Sequence, residues 1–342
     1  MVNKIISVNE ITSNSERILW VQSLKAFAII LVVLGHINNP MNGIIYSFHM
    51  PLFFFVSGFF LNPENRIVDF IKKNFYRLMI PYFSFGIIGI MMELLKNILA
   101  NKFFPTILLI NQKVNLWDHL LGLIYFMDYE HLRHYGFVLW FLPALFISKS
   151  ISFFLIKYVR NKYIIFSLLC SFILLFTYSK LLLPFALDKA FVASIFVYSG
   201  YLFYNQLIRL KISSTNYFCF TLLLISILLF KFIPSLNIAV STFEMTSLAY
   251  ALLVSTTISI IFSKIRYTNN IINTIGGNTI IIFILHPYTN NLAYFSLMYS
   301  SYSSWYNIAI ISLLLLYLSL ILLVPLSKYY SNHVKIFSSR NV

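Results

Sequence analysis

The sequence predicts an all-α, polytopic membrane protein, a helical bundle of about ten transmembrane helices. Three observations carry that prediction. The chain is 59% hydrophobic and only 10% charged, and its mean hydropathy of +0.81 lies well outside the range of soluble globular domains. Its apolar runs recur at close to the ~20 residues that a helix needs to cross a bilayer. None of the runs alternates polar and apolar residues as a closed barrel requires, and a lipid-facing segment that is not in a barrel must satisfy its backbone hydrogen bonds as a helix.

Taken in order, the runs fall at approximately 19–37, 44–62, 78–98, 137–156, 163–180, 184–205, 215–233, 238–262, 278–298 and 305–326. Residues 1–18 are polar, hold Glu10 and Glu16, and are followed by no small-residue cleavage motif, so they read as a cytoplasmic amino-terminal segment and not as a cleaved signal peptide. Residues 19–326 form the transmembrane domain and 327–342 a cytoplasmic tail. The net charge of +15 would suggest a nucleic-acid partner in a soluble protein. Here the basic residues crowd short gaps between apolar runs, which is the signature of membrane topology and not of nucleic-acid binding. With the amino terminus inside, sixteen lysines and arginines fall in the inner segments, against six (Lys102, Lys113, Arg133, Lys180, Lys189 and Lys231) in the outer ones. That bias puts both termini in the cytoplasm. Lys25, Lys96 and Lys149 lie inside runs and stay out of the count. The one long connection, 99–136, is then external, and its apolar pieces at 103–110 and 116–127 read as short interfacial or re-entrant segments that cover the bundle. Cys170 and Cys219 sit in apolar runs without paired or metal-like spacing and read as inert buried thiols.

The first two runs form a membrane hairpin that carries the charged and titratable groups hydrophobicity leaves unexplained: Lys25, His36 and His49. Lys25 and His36 are eleven positions apart, about 20° out of phase and about 16 Å apart along one helix face. The connector from Asn38 to Gly43 is a tight surface turn, so His36 and His49 return to a similar depth and two imidazoles are expected to face each other. An ionisable group inside a span normally faces a cavity or a partner. Imidazole is the usual general base near neutral pH, and it can also accept an acyl group as a covalent relay; the sequence leaves both open for His36. Because His49 shortly precedes Pro51, it is placed at the outer start of its span.

The hairpin residues Arg17, Trp20, Gln22, Lys25, Gly35 and His36, followed by Phe48, His49, Met50, Pro51, Ser57 and Gly58, resemble the acyltransferase-3 family of membrane-bound sugar O-acyltransferases. Shorter motifs continue the resemblance along the chain: Arg77, Pro81 and Tyr82; Leu139, Trp140, Phe141 and Leu142; Leu285, His286 and Pro287. Such proteins commonly have ten-helix cores and move an acyl group from cytoplasmic acyl-coenzyme A to a sugar hydroxyl. The resemblance therefore implies an O-acetyltransferase of a bacterial-type cytoplasmic (inner) membrane, with acetyl-CoA as co-substrate and a lipid-linked or polymeric glycan, such as O-antigen, as acceptor. One departure stands out: these proteins usually carry an aspartate where this chain has Gln22, so a carboxylate partner for Lys25 is missing there.

On that resemblance, His36, His49 and Lys25 are the catalytic candidates. Arg77, with Lys73 and Lys72, forms a basic entrance for the donor, where a planar guanidinium binds phosphate oxygens in pairs. His286, Trp140 and Glu93 are the substrate-side candidates, and Pro287 next to His286 is expected to kink its span. Glu93, Asp188 and Glu244 all fall toward outer span ends, and one of them could orient a histidine as a third group does in a triad. No metal is expected. The run Asp128, Glu130, His131, Arg133 and His134 lacks a HExxH pattern and reads as a solvated loop or a meeting point for the acceptor. Ser57 and Gly58 form no nucleophile elbow; small residues at that point serve close helix packing. The alternative reading is a polysaccharide exporter, since a polar-lined bundle also suits translocation, although no inverted repeat is evident.

Overall fold

The structure is a computed structural model that describes residues 8–103, 116–125, 136–179, 183–210, 221, 224–226, 228–229, 245–264, 269–300 and 302–333. Every regular element among them is helical. In chain order these are α1 (Val8–Gly35), α2 (Asn42–Gly58), α3 (Ile67–Asn74), a π-turn (Phe75–Met79), α4 (Ile80–Phe103), α5 (Leu116–Tyr125), α6 (Gly136–Leu139), α7 (Phe141–Tyr158), α8 (Lys162–Ser179), a 3₁₀ turn (Pro184–Ala186), α9 (Leu187–Leu210), α10 (Met245–Lys264), α11 (Asn270–Gly277), α12 (Thr279–Leu297) and α13 (Trp305–His333). Five helical stretches among the described residues are long and apolar enough to cross a membrane, six when the α11–α12 pair, bent by 88°, is taken as one broken span. The chain is thus a helical membrane bundle. The expected run at 215–233 falls largely outside the described residues.

Helix α1 is the hub, packing against α2, α10, α11, α12 and α13. Its end is shaped by the hairpin turn. The last carbonyls of a helix lack intrahelical donors, and the Asn39 amide reaches the carbonyls of Leu34 at 2.7 Å and Ile37 at 2.8 Å. The Asn39 oxygen meanwhile accepts from the Met41 N–H at 2.8 Å, an Asx turn that reverses the chain into α2. Helix α2 starts at Asn42, so Pro51 lies deep inside it and not near its first turn. His49 therefore sits well within the helix, buried at 2% exposure, instead of at the outer start that its proline neighbour suggested.

The other wall is built on α9, which packs against α2, α7 and α8. Gly58 and Gly200 make the α2–α9 crossing possible. A Cβ on Gly58 would fall 2.0 Å from the Val197 oxygen, and one on Gly200 would fall 1.9 Å from the Phe55 oxygen. Backbone this close has no room for a methyl group, which is the small-residue packing the sequence indicated. Ser152 on α7 donates to the Ser194 carbonyl of α9 at 3.2 Å, and Phe172 of α8 meets Phe191 of α9 at 4.7 Å between ring centroids.

Residues 67–103 form one continuous helical path, so Lys72, Lys73 and Arg77 lie on helix and not in a gap before the third run. Within it, the Ile80 N–H reaches back five residues to the Phe75 carbonyl, which defines the π-turn around Arg77. Helix α5 covers α4: the Tyr82 hydroxyl donates to the Leu123 carbonyl. Outward-facing Ile88 and Met91 on α4, Leu175 on α8, and Leu318 and Leu322 on α13 are exposed, an apolar perimeter of the kind lipid covers. Cys170 is half-buried on α8.

Gly200→Ala should lower the melting temperature of the detergent-purified protein, equivalent to about 1–3 kcal/mol of overpacking. An unchanged melting temperature would show that α2 and α9 do not approach as described.

Candidate active site

The three intramembrane histidines share one local device. The His36 ring Nδ1 lies 2.9 Å from the Val32 oxygen, His49 Nδ1 2.8 Å from the Ile45 oxygen, and His286 Nδ1 2.7 Å from the Phe283 oxygen. A carbonyl oxygen only accepts, so each Nδ1 is the donor, and in the neutral ring Nε2 is the basic nitrogen. For His286 the sequence supplies the reason. Pro287 has no N–H, so it leaves the carbonyl four residues earlier, that of Phe283, without its helical donor, and the neighbouring imidazole takes the position. Pro287 lies inside α12, and the chain bends by 88° between α11 and α12, around Asn278.

That bend carries His286 back onto α1. The His36 and His286 rings lie edge to face with centroids 4.7 Å apart and planes at 65°. Tyr46 on α2 stands 6.4 Å from His36 and 5.2 Å from His49. The result is a cluster of four rings from α1, α2 and α12: His36 and Tyr46 half-buried, His49 and His286 fully buried. The direct His36–His49 pairing expected from the hairpin is not what the rings show: Tyr46 contacts both, and the imidazole that meets His36 is His286, from the far end of the chain. Nε2 of His286 is buried without a hydrogen-bond partner among the described residues. Behind His286 an aromatic path runs through Phe283 and Phe141 to Trp140, with ring centroids 5.8, 5.1 and 6.3 Å apart in turn. Trp140 is buried at the break between α6 and α7.

Two contacts hold α12 and α11 against α1. One turn beyond His286, Asn290 Nδ2 donates to the Val33 carbonyl at 3.1 Å. The Asn290 oxygen accepts from the Ser312 hydroxyl of α13 at 2.5 Å, and that hydroxyl also lies 3.0 Å from the Thr289 hydroxyl. On α11, Gly276 approaches so closely that a Cβ there would fall 2.1 Å from the Gln22 oxygen. Neither contact is visible in sequence spacing, and Tyr46, Thr289, Asn290 and Ser312 were not among the sequence candidates. A polar Thr-Asn step one turn after a histidine, inside an apolar run, was the available signal.

At the other end of the shared face, Lys25 Nζ donates to Gln22 Oε1 at 3.2 Å. The amide thus does for the ammonium what the absent acid would do without its charge. Arg77 acts electrostatically on Lys25, and Arg77 and Lys73 act on Lys149. Arg77, Lys73 and Lys72 are exposed. Of the acidic candidates, Asp188 is buried and paired with its neighbour Lys189 at 3.2 Å, with its second oxygen lacking a partner among the described residues. The Glu93 side chain, Glu244 and the run from Asp128 to His134 lie outside the described residues.

The acyltransferase-3 family model, described as an acyltransferase domain, matches residues 18–328. Searches of curated proteins and of solved structures return no match.

Asn290→Leu and Ser312→Ala should each destabilise the purified protein by about 1–3 kcal/mol, because each strands a buried polar partner. The double variant should fall short of their sum by 0.5 kcal/mol or more. Simple additivity would show that the two side chains do not act together.

Proposed function

As a member of the acyltransferase-3 family the chain is a membrane acyltransferase, and we propose that it transfers an acetyl group from acetyl-CoA to a hydroxyl of a cell-envelope or surface glycan. The observation that carries the mechanism is the half-buried His36 ring in contact with the buried His286 ring.

His36 is the general base. With Nδ1 turned to the Val32 carbonyl, Nε2 takes the proton of the sugar hydroxyl. The hydroxyl oxygen bonds to the thioester carbonyl carbon, the carbon–sulfur bond breaks, and the imidazolium returns its proton to the departing thiolate. While His36 carries that proton it is a cation in a low-dielectric surrounding. The Nε2 lone pair of His286 and the ring of Tyr46, which both lie against His36, stabilise it, the role a third group plays in a triad. His49, buried behind Tyr46, supports that ring and does not meet the reactants.

The donor's charged end sits at the other end of the same face. Lys25 is about 16 Å from His36 along α1, which orients an extended donor with its phosphates near Lys25, Arg77, Lys73 and Lys72 and its acyl group near His36. Arg77 is the strongest phosphate ligand of the four, because its planar guanidinium is re-aimed by the π-turn and remains accessible. On this reading Lys25 binds the donor and takes no part in proton transfer. Charge bias supports the cytoplasm as the donor side and the outer face of an inner membrane as the acceptor side. Trp140, buried at the end of the aromatic path from His286, backs the acceptor side of the site and presents no open face to a sugar ring. The bent α11–α12 pair is a feature that transporters also use, and acetyl-CoA turnover separates that function from this one.

With purified protein and labelled acetyl-CoA, His36→Ala should cut acetyl transfer to glycan by about 10²–10⁴-fold at normal protein abundance. His286→Asn keeps a donor for the Phe283 carbonyl but removes the lone-pair nitrogen, so kcat should fall at least tenfold with KM little changed. Retained activity in His36→Ala removes His36 from the mechanism, and absence of transfer by the wild-type protein removes the reading itself.

A further inference from the structure

The cation cluster at the Lys25 end has a member that no motif identified. Lys149, half-buried on α7, donates to Asn74 Oδ1 at 2.7 Å, and Asn74 Nδ2 donates in turn to the Phe70 carbonyl at 2.8 Å. Asn74 immediately precedes the π-turn that carries Arg77, so Lys149 is tied to the backbone that aims the guanidinium. An ammonium has three N–H donors, and Asn74 engages one of them. Arg77 and Lys73 act on Lys149 through space, and Arg77 acts on Lys25. The Asn74 bond thus brings an ammonium from α7 to the turn that carries Arg77. Among the described residues no carboxylate is paired with Lys25, Arg77 or Lys149.

Half-buried cations that repel one another are costly until an anion joins them. The accessible Arg77 leaves the cluster open to such an anion. A planar guanidinium with an ammonium held beside its turn suits a ligand with several closely spaced negative oxygens, as in a diphosphate, better than a single carboxylate. We propose that Lys149 is a ligand for the phosphates of the acyl-CoA donor, completing with Arg77 and Lys25 a polyanion site at this end of the bundle. The proposal rests on the donor assignment made above and adds to it a residue from α7.

The test uses full-length protein in lipid nanodiscs, with coenzyme A and with pantetheine, the same arm without its phosphates, as probes. Lys149→Met replaces the ammonium by a side chain of similar length. It should weaken coenzyme A binding at least tenfold by calorimetry, leave pantetheine affinity within twofold, and hold or raise the ligand-free melting temperature because a like charge has been removed. Lys149→Arg should keep coenzyme A affinity within a few-fold. Unchanged coenzyme A binding in Lys149→Met, equal losses for both probes, or a variant that melts earlier or fails to fold would each overturn the proposal, the last by showing that Lys149 serves structure through Asn74. Lys149-dependent coenzyme A binding without acetyl transfer to glycan would overturn the proposed reaction and leave this site standing; transfer with Lys149-independent binding would do the reverse.

Discussion

The arrangement depends on the contact between α1 and the broken α11–α12 pair. Both members of the pair pack on α1 despite the 88° bend between them, α11 through the glycine contact between Gly276 and Gln22 and α12 through His286. The Asn290 bond to the Val33 carbonyl then fixes α12 one turn from the imidazole pair. In an apolar bundle such polar contacts have no water to replace them, so they set position as well as stability.

The same constraint explains the state of the rings. Each buried imidazole must satisfy its N–H within the bundle, and each does so on a carbonyl three or four residues earlier. That choice presents the basic nitrogen outward from the helix that carries it. Pro287 is part of this device, since it vacates the carbonyl that His286 uses. The proline thus marks a hydrogen-bond exchange inside α12.

What was legible in the sequence was local. Composition and run length gave a helical membrane bundle, and Gly58 announced a close helix crossing. The π-turn at Arg77 and the start of α2 at Asn42 were not legible, because propensity and period do not distinguish a proline that opens a helix from one that sits inside it. The longest-range features were least accessible. Nothing in local pattern joins His286 to His36 or Lys149 to Asn74, which lie 75 positions apart; both pairings follow from how whole helices pack. Their only trace was the presence of ionisable residues inside apolar runs, where burial is expensive without a partner or a purpose.

His36 follows the last residue of α1 and Lys25 lies eleven positions earlier within it, and the proposed chemistry uses that separation: phosphates near Lys25, the reacting thioester near His36. Mass spectrometry of surface glycans from cells with the protein, without it, and with His36→Ala in its place tests this account most directly. The account predicts one additional acetyl group per modified sugar only in cells carrying the wild-type chain. Identical glycan masses in all three, or acetylation that persists with His36→Ala, would contradict it.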